Sequence, residues 1–261
     1  MENPIDEEIL DVELTYDPDE HWNTYRIYDS AKPEIYTERS FTKGEFDEYM
    51  KGQIKRPGEY GITKGIYDFI TRARNTWIKH KLYCTYARGS YQEKVFWVDQ
   101  EKPKMWQGFI VDDMFIPGWM YLYVNYCPIY QKKLRKTTLP KVYDTDLWYF
   151  QILTRALCIG RFVSVAKTRQ RGFTLKNLVP IISALWFEDN TTNYIGASLD
   201  DYNGKAWAAM ETYKNHLNEF TRLTRNFNPS DTKYWKKWIV EVDRPKAKRD
   251  KPQNYNPLGG T

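Results

Sequence analysis

Apolar positions change their period several times along the chain. Thr42-Lys43-Gly44-Glu45 has the capping-box pattern, a threonine followed three residues later by a glutamate, and Phe46, Tyr49 and Met50 then share one face, so a helix is predicted there. From Thr63 onward Ile66, Phe69, Ile70, Ala73, Trp77 and Ile78 recur at intervals of three and four. That spacing predicts one helix of about five turns, with Arg72, Arg74, Lys79 and Lys81 on its other face. Between Tyr91 and Tyr130 aromatic and β-branched residues alternate. Val95-Phe96-Trp97-Val98 and residues 120–126 therefore read as strands, with Ile116-Pro117-Gly118-Trp119 as the turn before the second.

After Pro140 the order becomes helix, strand, loop, helix, strand, helix. Helices are predicted over residues 147–157 with Asp146 as cap, over 174–187 around Pro180, and over Asp200–Phe220; residues 161–166 and 191–198 read as strands. Strand, crossover helix, strand is the unit of a parallel sheet covered by helices, so this half is expected to be α/β, preceded by a mixed α+β region.

Composition narrows the class. The chain has 261 residues, 41% hydrophobic, 16% aromatic and 28% charged, enough apolar surface for a packed core and too many charges for a membrane-embedded or fibrous protein. At about 150 residues per domain it should form one large domain or two modest ones. Four segments suggest themselves: an arm over residues 1–40, an α+β region over 41–138, an α/β region over 139–225 and a basic tail over 226–261. The arm mixes Pro4, Pro18 and Pro33 with nine acids and no Lys or Arg in its first 20 residues. A solubilising role is expected for it. Basic clusters come later, at Lys132, Lys133, Arg135 and Lys136, in a stretch that reads as an exposed linker, and from Lys233 to Lys251. The net charge of +5 does not by itself imply nucleic acid.

The longest apolar run, from Val179 to Phe187, falls well short of the ~18 residues a membrane span needs, and the acidic start is unlike a signal peptide. Three widely spaced cysteines, Cys84, Cys127 and Cys158, suit a reducing, intracellular compartment, and three scattered histidines, His21, His80 and His216, offer no metal-ligand spacing and no catalytic partner. Tyr121, Tyr123 and Tyr126 could stack bases, but aromatics in such a segment are expected to face the core.

The segment with chemistry in it lies between a predicted strand and a predicted helix: Lys167, Thr168, Arg169, Gln170, Arg171, Gly172, Phe173 and Thr174. A loop in that place brings backbone N–H groups and the positive end of a helix dipole together, which is what a triphosphate requires. The ordinary phosphate loop is Gly, four residues, then Gly-Lys-Ser/Thr. Here Gly172 and Thr174 keep their places, Phe173 stands where the lysine would be, and the cation has moved to the front of the loop as Lys167. Lys167, Arg169 and Arg171 would repel one another in a tight turn unless an anion lay between them. Thr174 falls in the first helical turn, within reach of a metal.

The pattern Lys-x-x-x-x-Gly-aromatic-Ser/Thr with an internal arginine resembles the deviant Walker A loop of the large terminase subunits of tailed phages, the motors that pack DNA into procapsids. Residues 139–150, rich in Pro, Asp and aromatics, are similar to the lead before this loop in terminases. Trp106-Gln107-Gly108-Phe109 and the run from Ile116 to Ile129 are similar to the N-terminal region of long terminases from some phages of gut bacteria. The resemblance spans about residues 100–220. It implies a P-loop ATPase fold of the additional-strand, RecA-like type, incomplete at its C-terminal end. It also implies ATP and Mg as cofactors, with Lys167 and Arg169 on phosphates, Thr168, Gln170, Arg171 and Phe173 lining the loop, Gly172 allowing close backbone approach, and Thr174 on magnesium. Tyr143, Phe150 and Gln151 would lie on the adenine side. Double-stranded viral DNA, the portal protein, the small terminase subunit and copies of the chain in a ring are the implied partners, in the host cytoplasm and without a membrane.

The chain departs from the family in its acids. An apolar run ending in Asp-Glu, which would hold magnesium and activate water, is not evident. Residues 238–243 are short for it and follow a lysine-rich helix, and Asp200-Asp201 read as a helix cap. The chain is thus expected to be the front part of a terminase without its catalytic acids or its nuclease domain. Another P-loop ATPase such as a helicase, or a non-enzymatic DNA-binding or docking protein whose basic loop meets phosphodiesters, would share these features.

Overall fold

The computed structural model describes residues 24–29, 37–131, 135–166, 172–187 and 200–221. It is mixed α/β, mostly helical with small sheets. Two strands, β1 (Thr24–Asp29) and β2 (Thr37–Thr42), pair antiparallel. These strands correct the reading of the first 40 residues as an arm without regular structure; the remaining acidic residues lie outside the described ones. Helix α1 (Lys43–Gln53) follows, and its capping box forms as predicted: Thr42 accepts from the Glu45 amide, and the Glu45 carboxylate accepts from the Thr42 amide.

The predicted five-turn helix is two helices, α2 (Lys64–Ile70) and α3 (Arg72–His80), broken at the fully buried Thr71. The break is satisfied from outside. Asn125 accepts from the Arg74 amide at 2.8 Å and donates to the carbonyl of Ile70 at 2.8 Å, thereby capping the start of α3 and the end of α2 with one side chain. Apolar spacing carries across such a break, so the period alone cannot reveal it.

Residues 95–98 are a second correction. They belong to a helical stretch, α4 (Tyr91–Lys94), then a π-helical segment (Val95–Glu101), then α5 (Lys102–Trp106). A tight hairpin comes next, β3 (Phe109–Val111) and β4 (Met114–Ile116), with Asp112 and Asp113 both at positive φ, as a two-residue hairpin turn demands. The sheet order is β2-β1-β3-β4, with β1 and β3 parallel.

The third correction is α6 (Gly118–Tyr126), a helix where alternation predicted a strand. Eight of its nine residues are buried. A helix enclosed on every side has no polar face to impose a period, so its sequence reads as a continuous apolar run. Backbones come very close at its start: a β-carbon on Gly118 would sit 2.5 Å from the carbonyl oxygen of Met105, and one on Gly108 2.5 Å from that of Ile116. The main core gathers around α6, with Tyr121, Tyr123 and Tyr126 in it as expected.

Strands β5 (Ile129–Gln131) and β6 (Lys136–Thr138) pair in a small hairpin where an interdomain linker or exposed loop is expected, with Arg135 and Lys136 exposed. Helix α7 (Asp144–Cys158) begins three residues before the predicted start, so Asp146 is inside the first turn and not at the cap. Residues 161–166 form no strand and pair with nothing in a sheet, which removes the strand expected immediately before the loop. Helices α8 (Phe173–Phe187, with Pro180 inside) and α9 (Asp200–Phe220) match their predictions and pack together; α8 also packs on α6. The strand expected over residues 191–198 and the helix expected near Tyr234 lie outside the described residues.

Candidate functional site

Of the eight loop residues, Lys167, Thr168, Arg169, Gln170 and Arg171 lie outside the described residues, and Gly172, Phe173 and Thr174 lie within them. Gly172 has φ +67, in the left-handed region, and a β-carbon there would meet no atom of the described residues within 4 Å. Its carbonyl accepts from the amides of Leu175 at 3.1 Å and Lys176 at 3.3 Å, which opens α8. The amides of Phe173 and Thr174 therefore precede the first intrahelical bonds, as in any helix start. Thr174 is exposed and Phe173 half-buried.

The start of α8 is held against the start of α7. The Lys176 ammonium pairs with the Asp146 carboxylate, both nearly inaccessible to solvent, and lies 5.3 Å from the centroid of the Phe173 ring. Phe173 packs edge-on against Tyr149 with centroids 4.8 Å apart, and the Tyr149 hydroxyl donates to Asn177 Oδ1 at 2.5 Å. Asp146 Oδ2 is enclosed with no hydrogen-bond partner among the described residues. Burial pushes the Asp146 carboxyl above the usual aspartate value, with Lys176 pulling it back.

The adenine-side residues are not brought together on an open face. Tyr143 is exposed, whereas Phe150 and Gln151 are fully buried. Gln151 accepts from the Tyr60 hydroxyl at 2.9 Å and donates to the carbonyl of Phe115 at 2.8 Å, tying α7 to the β3–β4 hairpin. Phe150 packs against Tyr123 and Tyr149. A purine seat on these two residues is corrected to a place in the core, because an apolar ring and a satisfied amide are what that core needs.

A second polar cluster lies wholly inside. Glu101, at the end of the π-helical segment, accepts from Lys104 at 2.9 Å, from the Tyr121 hydroxyl at 2.8 Å and from the Tyr126 hydroxyl at 2.5 Å. His216, expected to be idle, is buried against Tyr83, whose hydroxyl lies 2.7 Å from Nε2 and also donates to the Asn125 carbonyl at 2.5 Å. Because that hydroxyl spends its proton on Asn125, His216 Nε2 carries the hydrogen between the two rings.

Sequence reasoning missed Lys176, Asn177 and Glu101. Lys176 had a readable signal: it sits with Val179, Ser183 and Trp186 on the buried stripe of α8, where an unpaired lysine is not tolerated. Glu101 and Lys104 share only an i,i+3 spacing, while the two tyrosine donors that complete the cluster come from 20 and 25 residues away and leave no local signal.

Elsewhere, a cleft of about 220 Å³ is lined by Gln53, Lys55, Tyr60, Asp112, Asp113 and Met114, and no residue of α8 borders it. Arg135 and Lys136 are exposed; residues 132–134, the basic 233–251 stretch and the acids of 238–243 lie outside the described residues. Among the described residues no group of three or more His, Cys, Asp or Glu is placed to hold a metal ion, and no helix is long and apolar enough to cross a membrane. No family model matches the chain, and no curated protein or solved structure matches it significantly.

Proposed function

We propose that this chain carries the nucleotide-binding region of a large terminase subunit, the ATPase that drives viral DNA into procapsids. The observation that carries the reading is the run Lys167 to Thr174 leading into α8, with its glycine left-handed and its threonine exposed in the first turn. Those features suit a backbone that must approach a phosphate closely and a hydroxyl that must reach a cation. Lys167 and Arg169 would contact the phosphates, and Thr168, Gln170, Arg171 and Phe173 complete the loop. Magnesium would arrive with the nucleotide and take Thr174 as its protein ligand. Bound ATP supplies the phosphoanhydride whose hydrolysis powers translocation.

The finer architecture belongs to the same proposal: a parallel P-loop sheet flanked by α8 and α9. Viral duplex DNA, the portal, the small subunit and a ring of copies are the partners that go with it, in the host cytoplasm.

Calorimetric titration with magnesium and a slowly hydrolysed ATP analogue tests the reading. Lys167→Ala and Arg169→Ala should each abolish measurable binding while the far-UV spectrum stays unchanged, since both charges would face phosphate and not the core. Equal affinity in both variants would remove them from the site. Salt-sensitive DNA binding indifferent to nucleotide would select the docking-protein alternative instead.

A further inference from the structure

We infer that the surface running from the end of α3 to α4 binds single-stranded nucleic acid, at a site separate from the nucleotide loop and independent of it. Between Phe69 and Val98 the sequence holds six Lys and Arg and a single acid, Glu93, whereas the whole chain holds 39 against 34. Lys79, Lys81, Arg88 and Lys94 are all exposed. Glu93 is half-buried, and its carboxylate is drawn inward to accept from the Gly89 amide at 2.6 Å, so a positive surface results. Aromatic rings lie in the open among these cations: Tyr91 is 76% exposed and Tyr86 52%, while Tyr83, Tyr121 and Tyr126 fill the core. Packing therefore does not account for the two outer rings.

Local hydrogen bonds hold this stretch in shape. Ser90 caps α4 by accepting from the Glu93 amide at 3.1 Å, Glu93 reaches back to Gly89, and the Ser90 amide donates to the carbonyl of Ala87 at 3.1 Å, so residues 87–93 form one ordered turn. Tyr91 and Lys94 are three positions apart on α4 and share a face. Arg88 stands two residues after Tyr86 and three before Tyr91, so rings and cations alternate along the turn. Tyr86 packs edge-on against Phe96, Phe96 against Trp97, Trp97 against Tyr83 and Tyr83 against Trp77, which joins the turn to the end of α3. There Lys81 Nζ lies 4.8 Å from the centroid of Trp77, on a residue with φ 59, a conformation in which glycine is the unstrained choice. Exposed rings stack bases and cations between them meet phosphates, which is the chemistry of single-strand binding. A duplex keeps its base faces stacked inside, so the two rings point to an unpaired strand. An anionic membrane would also meet the cations, but Ile78 and Leu82 are separated by Lys79, His80 and Lys81, and no continuous apolar face is offered to lipid tails.

The test is the fluorescence anisotropy of a labelled oligothymidine of about 12 nucleotides, titrated with the full chain at low salt. Saturable binding is expected, tighter than to a duplex of the same length, and weakening with salt at a log–log slope of about −2 to −3, as four cations on a single strand give. Tyr86→Ala together with Tyr91→Ala should weaken it about tenfold or more, whereas Tyr86→Phe with Tyr91→Phe should keep most of the affinity, because the ring and not the hydroxyl stacks. Lys81→Ala with Arg88→Ala should make the salt slope shallower by about 1.4. All four side chains are exposed, and far-UV spectra check that each variant folds; should the tyrosine-to-alanine pair not fold, the change in salt slope decides. No binding by the unsubstituted chain, equal binding of duplex and single strand, or unchanged affinity in the folded alanine pair each overturns the inference. Binding to phosphatidylserine vesicles without binding to the oligonucleotide overturns it in favour of a membrane. Contact through residues 167–171 is told apart because that segment contains no tyrosine, so binding that survives the alanine pair would belong to the loop. The nucleotide-site reading stands or falls separately, since neither ATP nor magnesium enters this measurement.

Discussion

Two buried carboxylates, each paired with a lysine, meet different surroundings. Glu101 and Lys104 lie one turn apart on a continuous helical stretch, and the carboxylate takes three donors, Lys104, Tyr121 and Tyr126, so both its oxygens are used. Asp146 and Lys176 join separate helices, and one aspartate oxygen is enclosed without a hydrogen bond among the described residues. A fully satisfied buried network makes a region rigid and unique, while a partly satisfied one marks a place where the protein tolerates cost for some other end. The first cluster is at the centre of the aromatic core. The second is at the mouth of the helix that follows the candidate phosphate loop.

The largest effect should come from removing a charge at the first cluster. Glu101→Gln leaves the Lys104 ammonium, which is 7% exposed, without its counter-ion and weakens two tyrosine bonds at once. Breaking one side of such a pair costs about 3–5 kcal/mol, roughly a fifth or more of the stability of a typical domain. Asp146→Asn also strands a buried lysine, Lys176, but weakens no tyrosine bond and replaces a carboxylate with one unsatisfied oxygen, so it should fall at or below the lower end of that range. Denaturant unfolding of the two variants checks the order. Equal losses would erase the distinction between the clusters.

What could be read in advance follows the same division. The capping box at Thr42 and Glu45, the start of α8 after Gly172 and the full length of α9 are local signals, a cap, a glycine and a 3.6-residue period, and all three were legible. Helix α6 was not, because burial on all sides removes the polar face that makes a helix recognisable. Nor was the break at Thr71, which depends on Asn125 arriving from 50 and more residues away to cap both helix ends. Residues 161–166 have the letters of a strand, yet Phe162 is fully exposed and among the described residues no strand pairs with them. Strand propensity is realised only where a sheet edge is offered. In the candidate site residues 167–171 lie outside the described residues, and the seat of α8 on Asp146 and Tyr149 came from tertiary packing alone.

Acid titration should act on the two regions with opposite signs. Burial lowers the pKa of His216, beside Tyr83, Trp77 and Phe220, from 6.5 to about 4. The folded protein keeps this ring neutral while the unfolded chain protonates it, so its stability contribution is whole above pH 6.5 and is lost as pH falls toward 4. The loss is on the order of 3 kcal/mol. Asp146 runs the other way: its folded pKa is raised from 3.8, so its ionisation as pH climbs above that value detracts from stability. His216→Gln should therefore flatten the decline in stability between pH 6.5 and 4, and Asp146→Asn should steepen it. Unfolding free energies measured at half-unit steps in pH resolve both slopes.

The smallest expected difference separates two hydroxyls at the same nominal distance. Tyr126 donates to Glu101 at 2.5 Å and Tyr149 donates to Asn177 at 2.5 Å, so the geometry is alike and the acceptors differ, a carboxylate in one and an amide oxygen in the other. A bond to a charged acceptor contributes about 1.5–3 kcal/mol and a neutral one about 1 kcal/mol. Tyr126→Phe also leaves Glu101 short of a donor at a site with no access to water, whereas Asn177 is not among the buried polar residues and recovers a water when Tyr149→Phe withdraws its partner. Tyr126→Phe should thus destabilise by about twice as much as Tyr149→Phe. Only the second, which loosens the turn after Gly172, should speed amide exchange at residues 173–177. If Tyr126→Phe also speeds exchange there, the two regions form one cooperative unit, and the separation between rigid core and loop-bearing junction gives way.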